Sequence, residues 1–199
     1  MDEKQRLRAL VRTRRDARLS AAGDDDSVRS GQQASFTAQL ASLTEQLGAG
    51  RVACFVSVRG EPETTGYLAW ARAHGVEVLL PRVRPGGSLE WSVHEESGLA
   101  VGAFSIPEPV GPATPMDASE RVDLLLVPAA AVDQTGTRLG WGRGYFDREL
   151  ARLRAELHDA PPQVFAVVWS DELMDRLPQE PHDIPVDGAV TEESIHRFG

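Results

Sequence analysis

The chain contains a single cysteine, Cys54. A single thiol excludes an internal disulfide and a zinc site built from cysteines, and in its apolar stretch Cys54 is interpreted as a core residue. No apolar run approaches the 18 residues of a membrane-spanning helix. The first ten residues also lack the apolar segment of a secretory signal. We therefore expect a cytoplasmic protein that does not insert into membranes.

Positive charge is also in deficit, because 21 Lys and Arg face 30 Asp and Glu, a formal charge of −9. This balance argues against general nucleic-acid binding. The basic residues are nevertheless concentrated: residues 1–18 carry seven against three acidic ones, and residues 138–154 carry five against two. Such islands in an acidic chain favour an anionic ligand between them. Two solvated helix faces would produce the same pattern.

The order of apolar segments indicates an α/β fold. Continuous apolar strands alternate with helical stripes, which is typical of a largely parallel sheet covered by helices on both faces. We expect a single domain over residues 1–199, a three-layer sandwich with a Rossmann-like open sheet. Helices are predicted around Leu7, Leu10 and Val11, and at 36–47 with Gly48 as its cap, 65–74 and 145–157. Strands are predicted at 51–58, 76–80 (ended by Pro81), 89–93, 101–106, 123–127, 164–169 and 188–190, and a loop at 21–31.

The most informative segment is residues 138–150, RLGWGRGYFDREL, directly after the apolar run 123–128. It holds alternating glycines, Gly140, Gly142 and Gly144. Glycine lets backbone N–H groups approach a ligand, and Arg138 and Arg143 add fixed positive charge. Asp147 follows at a predicted helix start, where an anion is favoured and a carboxylate can hold a metal. The segment predicts a nucleotide-phosphate site beyond the carboxyl end of a strand.

This motif has a plainer interpretation, because alternating glycines also occur in simple turns. It is neither the dinucleotide fingerprint nor a P-loop. Asp133, which precedes the glycines, is expected to brace the loop. Trp141 is expected to face ligand or solvent, since a large aromatic inside a glycine loop has no core to enter. Trp70, Trp91 and Trp169 are expected in the core or in a pocket wall.

With these pieces in order, the chain resembles the 5-formyltetrahydrofolate cyclo-ligase (5,10-methenyltetrahydrofolate synthetase) family from Lys4 to about Thr191. The resemblance is carried by ordered motifs: Lys4-x-x-x-Arg8, Glu61-Pro-Glu-Thr64, Leu80-Pro-Arg82, the stretch FSIPEP at 104–109, the block 123–150, and a tail with Leu177-Pro178, His182-Asp183 and Val190-Thr191-Glu192. The central block is the most specific of them.

The resemblance implies an ATP-dependent closure of 5-formyltetrahydrofolate to 5,10-methenyltetrahydrofolate, with Mg²⁺ as cofactor and release of ADP and phosphate. Phosphorylation of the formyl oxygen would create a leaving group, and N10 of the folate would then close the ring. Phosphoryl transfer calls for positioning and charge neutralisation rather than for a protein nucleophile. The expected partners are these small molecules alone, without nucleic acid or membrane, and a monomer is expected.

By position, the resemblance also implies residue roles. ATP would be bound by Lys4, Arg8, Arg138, Leu139, Gly140, Trp141, Gly142, Arg143, Gly144, Tyr145 and Phe146. Folate would be bound by Val56, Glu61, Trp141, Gly142, Arg143, Gly144 and Tyr145. Mg²⁺ would be held by Asp147 and Asp183, and Arg143 and Arg8 are the expected catalytic residues.

Several of these residues also have a purely structural interpretation. In that case Lys4 and Arg8 are exposed charges on a helix, and Glu61 caps the following helix. Asp183 then caps a turn, and Asp147 is a first-turn charge that stabilises its helix.

Three positions depart from the family pattern: Ala129 replaces a usual glycine, Val132 a usual phenylalanine, and Phe146 a usual second tyrosine. These changes bear on the folate rather than on the phosphate machinery. Two other functions therefore stay open. One is a divergent ATP-dependent member that acts on a non-folate formamide, for which the lost tyrosine is the only hint. The other is a non-catalytic folate binder, against which the retained phosphate residues argue.

Overall fold

The structure is a computed structural model that describes residues 2–23, 25–95, 98–103, 106–117, 120–157, 161–180 and 183–199. Its helices are α1 (Glu3–Ala22), α2 (Asp26–Leu47), α3 (Thr65–Ala73), α4 (Tyr145–Glu156) and a 3-10 turn at Ser170–Glu172. Its strands are β1 (Arg51–Ala53), β2 (Glu77–Val83), β3 (Leu89–Val93), β4 (Leu99–Val101), β5 (Pro107–Pro109), β6 (Leu124–Pro128), β7 (Ala131–Asp133), β8 (Arg138–Leu139), β9 (Gln163–Val167), β10 (Leu173–Met174), β11 (Gly188–Val190) and β12 (Ile195–Arg197).

A seven-stranded sheet organises the chain in the order β12-β11-β9-β6-β1-β2-β3. The five inner strands run parallel. The edge strands β3 and β12 are antiparallel to their neighbours. The expected α/β fold with a largely parallel sheet is therefore confirmed.

Side chains of β6 show how the layers form, because successive strand residues point to opposite faces. Leu124 and Leu126 pack in the cluster that contains α2 and α3. Leu125 and Val127 pack in the cluster that contains Leu150 and the rest of the apolar stripe of α4. The sheet is thus covered by helices on both faces, as the continuous apolar strands predict.

Residues 140–144, between β8 and α4, form the glycine loop. Helix α1 packs in a third cluster that lies beside this loop. Its Val11 contacts a small group of buried residues, Ala130, Ala131, Leu139 and Leu177. Leu10, expected in the apolar stripe, is 43% exposed instead. Helix α1 is thereby anchored near the carboxyl end of β6. Among the described helices, none is long and apolar enough to cross a membrane.

The sheet topology creates a crevice between β1 and β6. The chain leaves β1 toward β2 on one side, whereas β6 connects to β9 on the other side. Ligands of open α/β sheets bind at such switch points, outside the carboxyl ends of the strands. The glycine loop follows β6, β7 and β8 and therefore begins at this edge of the sheet.

The predicted loop at 21–31 is wrong. Helix α1 continues to Ala22, and α2 begins at Asp26 after the cap residue Asp25, whose Oδ1 accepts from Ser27 N at 2.9 Å. Aspartates cap helices and stabilise their first turns as well as favouring loops. The acidic stretch therefore marks a helix start, and the connection is much shorter than the composition indicates.

The predicted end of the second strand at Pro81 is also wrong. Strand β2 continues to Val83, and Pro81 lies opposite Trp91 in the antiparallel pair with β3. The parallel partner β1 ends at Ala53, opposite Leu79, so β2 is unpaired on that side at Pro81. A missing backbone N–H is tolerated where a strand has only one neighbour.

Other strand predictions need smaller corrections. The strand expected at 51–58 ends at Ala53, and the one expected at 101–106 is replaced by the hairpin of β4 and β5. Phe104, Ser105 and His182, which belong to the quoted motifs, lie outside the described residues. The small sheet β10-β7-β8 and strand β12 were not predicted, because two or three residues are too few to show a period.

Candidate functional site

A cavity of about 490 Å³ lies at the switch point between β1 and β6. Phe55 and Val56 follow β1 on one side, and Pro128 ends β6 on another. Residues of the glycine loop and of the first turn of α4 form a third wall: Gly140, Trp141, Arg143, Gly144, Tyr145, Phe146 and Asp147. Helix α1 contributes Arg12, Arg15 and Asp16. The cavity therefore joins both basic islands of the sequence.

The glycine loop requires glycine at two positions. Gly142 has φ of 89°, and Gly144, the N-cap of α4, has φ of 70°, a region that side chains disfavour. Arg8 of α1 donates from Nε to the carbonyl oxygen of Gly140 at 2.8 Å. A Cβ on Gly142 would lie 3.4 Å from Cζ of the same arginine. Arg8 thus contacts the loop backbone directly and is more than an exposed helix charge.

Asp133 braces the base of the loop, as expected from the sequence. It is 1% exposed, and its Oδ1 accepts from the backbone N–H groups of Thr135 and Thr137 at 2.9 and 3.1 Å. Its Oδ2 accepts from Leu177 N at 2.8 Å. One buried carboxylate therefore joins the turn before the glycines to the carboxy-terminal tail.

Arg138 is a buried cation at the foot of the loop. Its Nη1 donates to the carbonyl oxygen of Pro128 at 3.0 Å, and its Nη2 donates to Oδ1 of Asp147. Burial lowers the pKa of Arg138, and the charges of Asp147 and Asp183 act against that shift. The buried guanidinium is therefore paired with Asp147 and is also influenced by the charge of Asp183 from the carboxy-terminal tail.

Lys4 joins the start of α1 to the tail. Its Nζ donates to Oδ2 of Asp183 at 2.8 Å and to Oε2 of Glu180 at 2.7 Å. Desolvation lowers the pKa of Lys4, but the hydrogen bonds and charges of these two carboxylates raise it overall. Asp183 also accepts from Glu180 N at 2.8 Å. It therefore caps a turn as well, which is the structural role that the sequence left open for it.

Asp147 and Asp183 have a donor set that suits Mg²⁺. No group of three or more His, Cys, Asp or Glu gathers among the described residues. Mg²⁺ often binds through one or two carboxylates and takes its other ligands from phosphate oxygens and water. The two carboxylates fit that pattern. An ion bound there would replace Arg138 as the partner of Asp147 and Lys4 as the partner of Asp183.

Glu61 also lies on the cavity wall. Its Oε2 accepts from Val58 N at 3.0 Å. Burial raises the pKa of Glu61, whereas the Val58 N–H, the Arg15 charge and the Trp141 indole act to lower it. Glu63, not Glu61, accepts from Thr65 N at 3.0 Å at the start of α3. The carboxylate of Glu61 is thus partly desolvated and faces the cavity.

The predicted site residues divide into two groups. Those on the cavity wall are Val56, Glu61, Arg138, Gly140, Trp141, Arg143, Gly144, Tyr145, Phe146 and Asp147. Lys4, Arg8, Gly142, Leu139 and Asp183 lie outside this lining, with the Leu139 side chain in the cluster around Val11. Trp141 lines the cavity as expected. Trp91 and Trp169 are buried away from it.

Sequence reasoning missed Arg15 and Glu172. Arg15 Nε and Nη2 donate to the two carboxylate oxygens of Glu172, each at 2.7 Å, and the guanidinium lies 4.8 Å from the ring centroid of Trp141. The spacing Lys4, Arg8, Arg12, Arg15 puts one basic face on α1 and was a usable signal. Glu172 carried no such signal.

Fold and site together define an open-sheet α/β protein with an arginine-rich cleft at its switch point. The sequence model of the 5-formyltetrahydrofolate cyclo-ligase family matches residues 1–192 of this chain. The chain therefore belongs to the 5-formyltetrahydrofolate cyclo-ligase family, a family of enzymes.

Relatives in bacteria agree with this assignment. The 5-formyltetrahydrofolate cyclo-ligase of Mycolicibacterium smegmatis is 35% identical over 172 residues, covering 83% of this chain and 84% of the relative. That of Escherichia coli is 30% identical and covers 83% and 89%. The solved structure of Aquifex aeolicus 5,10-methenyltetrahydrofolate synthetase superposes with a TM-score of 0.77 at 31% identity, covering 98% of this chain and 92% of that one.

Proposed function

We propose that this protein converts 5-formyltetrahydrofolate to 5,10-methenyltetrahydrofolate, with ATP as co-substrate and Mg²⁺ as cofactor, and releases ADP and phosphate. The observation that supports this most is the composition of the cavity. Val56 and Glu61 line it together with Arg138, Arg143 and the glycine loop. An apolar and acidic wall suits a pterin, and a basic, glycine-rich wall suits phosphates.

The chemistry needs such a two-sided cavity. The formyl oxygen attacks the γ-phosphorus of ATP, an O–P bond forms, and the bond to the β-phosphate oxygen breaks as ADP leaves. N10 of the folate then attacks the activated carbon and loses its proton, and the C–O bond breaks as phosphate departs. Both steps need the formyl group and the γ-phosphate next to each other, with developing charge neutralised.

The phosphate side of the proposal rests on α1 and the loop. We assign ATP to Lys4, Arg8 and residues 138–146, including Leu139 and Gly142. Arg8 already contacts the loop backbone at Gly140, and Lys4 lies beside Asp183. Arg143, exposed on the cavity wall, is assigned with Arg8 to charge neutralisation in phosphoryl transfer.

Asp147 and Asp183 would hold Mg²⁺, which supplies neutralisation of the nucleotide phosphates when it is bound. The chain's own contribution is to keep both carboxylates near Arg138. On the folate side, Glu61 is assigned to the donor edge of the pterin, because a carboxylate accepts from the ring N–H and amino groups. Val56 and the loop residues 141–145 would complete that contact.

The proposal also includes a cytoplasmic, monomeric enzyme. Light scattering of the purified chain tests the monomer, and fractionation of cells tests the compartment. A molar mass of twice 21.6 kDa would overturn the monomer.

The central experiment follows absorbance in the methenyl-folate band after purified protein, 5-formyltetrahydrofolate and Mg²⁺ are mixed with or without ATP. Growth of the band only with ATP is expected. A flat trace with folate bound but no ATP bound would indicate a non-catalytic binder. A flat trace with ATP bound and hydrolysed on addition of another formamide would indicate a divergent substrate.

A further inference from the structure

Arg15 lines the cavity, yet three of the five N–H donors of its guanidinium are used within the protein. Nε and Nη2 donate to the two oxygens of Glu172, each at 2.7 Å, and Nη2 also donates to Ala129 O at 2.9 Å. Arg15 is 5% exposed and Glu172 is fully buried. These bonds fix the position of the guanidinium. Arg15 can therefore act on the cavity through the neighbour that it contacts as well as through its charge.

The neighbour that Arg15 contacts on the cavity side is Trp141. Cζ of Arg15 lies 4.8 Å from the ring centroid, and Cζ of Arg12 lies 5.6 Å from it. Trp141 falls between β8 and α4, in a loop without regular backbone pairing. Side-chain contacts therefore fix the ring, and a desolvated cation over an indole is a favourable one.

Trp141 and Glu61 line the same cavity. The indole Nε1 is buried and makes no hydrogen bond of good geometry, but it lies near enough to lower the pKa of the Glu61 carboxyl. Glu172, Arg15 and Trp141 therefore form one series of contacts, which ends at the cavity wall that Glu61 also lines. Glu172 lies in the protein interior, and the other three residues line the cavity.

We propose that the buried Arg15–Glu172 pair is a positioning pair that holds Trp141 against Glu61 and thereby sets the affinity of the cavity for the folate. The inference deepens the proposed function and rests on it for the identity of the ligand. A buried ion pair contributes little net stability over an apolar pair of similar size, so stability alone is a weak reason for this one. Fixing an aromatic wall beside a partly desolvated carboxylate gives it a specific task.

The test measures binding of 5-formyltetrahydrofolate, without ATP, by calorimetry. Arg15→Met alone would leave Glu172 buried and unpaired, with a large cost in stability. The test variant is therefore Arg15→Met/Glu172→Gln, which removes both charges while the amide oxygen can still accept from Trp169 N, the bond that Glu172 makes at 3.0 Å. Its dissociation constant for 5-formyltetrahydrofolate is expected to rise about 10-fold.

A matched control is available on the same helix. Arg18 lies 4.2 Å from the ring centroid of Trp169 and pairs with Asp171 at 2.7 Å, and it does not line the cavity. Arg18→Met is expected to leave folate affinity unchanged. Trp141→Leu supplies the background for a double-mutant cycle, in which the pair substitution should weaken binding less than about 2-fold further.

The outcomes separate the inference from the proposed function. If the unmodified protein fails to bind 5-formyltetrahydrofolate, the proposed function fails. If it binds, and the pair variant binds equally well or loses affinity equally in both Trp141 backgrounds, the positioning role is overturned. A loss in the Arg18 variant equal to that in the pair variant would likewise contradict it.

Discussion

Arg138 Nη2 donates to Oδ1 of Asp147, so the buried cation at the foot of the glycine loop is paired with a carboxylate on the first turn of α4. The Asp147 side chain is 45% exposed, whereas that of Arg138 is 3% exposed. The carboxylate that the proposal assigns to Mg²⁺ is thus held in place by an internal cation, with one side open to solvent. Binding of Mg-ATP would exchange that internal cation for an external one.

Asp147→Asn is expected to lose activity through Mg-ATP. The amide keeps an oxygen that can accept from Arg138 but loses the charge that a hard cation needs. We expect kcat/KM for Mg-ATP to fall about 100-fold, and the dissociation constant for 5-formyltetrahydrofolate to change less than about 2-fold. Steady-state kinetics and calorimetry without ATP measure the two quantities.

The control for this substitution is Glu156→Gln, which removes a half-exposed carboxylate from the same helix, where it pairs with Arg152. It should leave both quantities unchanged. Equal losses of Mg-ATP efficiency and of folate affinity in Asp147→Asn would contradict the assigned role.

Glu61→Gln is expected to raise stability while it weakens folate binding. Burial raises the pKa of this carboxyl in the folded state. Above its ordinary pKa, the folded protein therefore holds more protons at this site than the unfolded chain, so its contribution to stability falls as pH rises through that window. Glu61→Gln removes this carboxyl, so the variant does not lose stability in this way at neutral pH.

Thermal unfolding at pH 7 should show a Tm for Glu61→Gln that is higher by roughly 2–4 °C, the change that about 1 kcal/mol produces in a chain of this length. The gain should shrink as the pH is lowered toward the ordinary pKa of glutamate. Arg15, Arg12, Arg59, Asp16 and Glu172 share this region and are present in both proteins. Glu45→Gln, on the exposed side of α2, is the control. A lower Tm at pH 7 would refute the argument.

Much of the phosphate side of the site could be predicted from sequence because its signals are local. The glycines, Arg138 and Asp147 lie within ten residues of one another, and each has a chemistry that its residue type defines. The parallel sheet was predictable for a similar reason, since continuous apolar strands such as β6 and β9 indicate burial on both faces.

The remainder depended on contacts between distant residues. Arg15 and Glu172 are 157 positions apart, and nothing near either residue identifies the other. The acidic stretch at 21–31 was misinterpreted because aspartate favours both loops and helix starts, and tertiary packing of α2 decides between them. Strands of two or three residues, such as β8 and β10, show no period at all.

Gly142→Ala is expected to reduce both activity and stability. The residue has φ of 89°, and the added methyl would lie 3.4 Å from Cζ of Arg8. The substitution therefore strains the loop and presses on the helix that contacts it. We expect activity to fall about 10-fold from misplacement of the loop, together with a stability cost of about 1 kcal/mol.

Gly75→Ala separates strain from contact. Gly75 has φ of 72°, but nothing lies within 4 Å of its added methyl. Thermal unfolding should show a similar fall in Tm for both variants, and only Gly142→Ala should lose activity. Equal activities at equal Tm would remove the loop backbone from the proposed site.

Mg-ATP is expected to slow trypsin cleavage on both sides of the α1–α2 junction, after Arg18 and Arg29. Helix α1 is held to the body by polar contacts, including Lys4 to Asp183 and Arg8 to Gly140. Phosphates shared between these side chains and the glycine loop would add contacts that stabilise the docked helix against local opening. At saturating Mg-ATP we expect cleavage there to slow at least about threefold. Cleavage after the exposed Arg154 of α4 is the internal reference and should be unchanged. Unaltered cleavage after Arg18 and Arg29, with nucleotide binding verified by calorimetry, would mean that α1 takes no part in holding ATP.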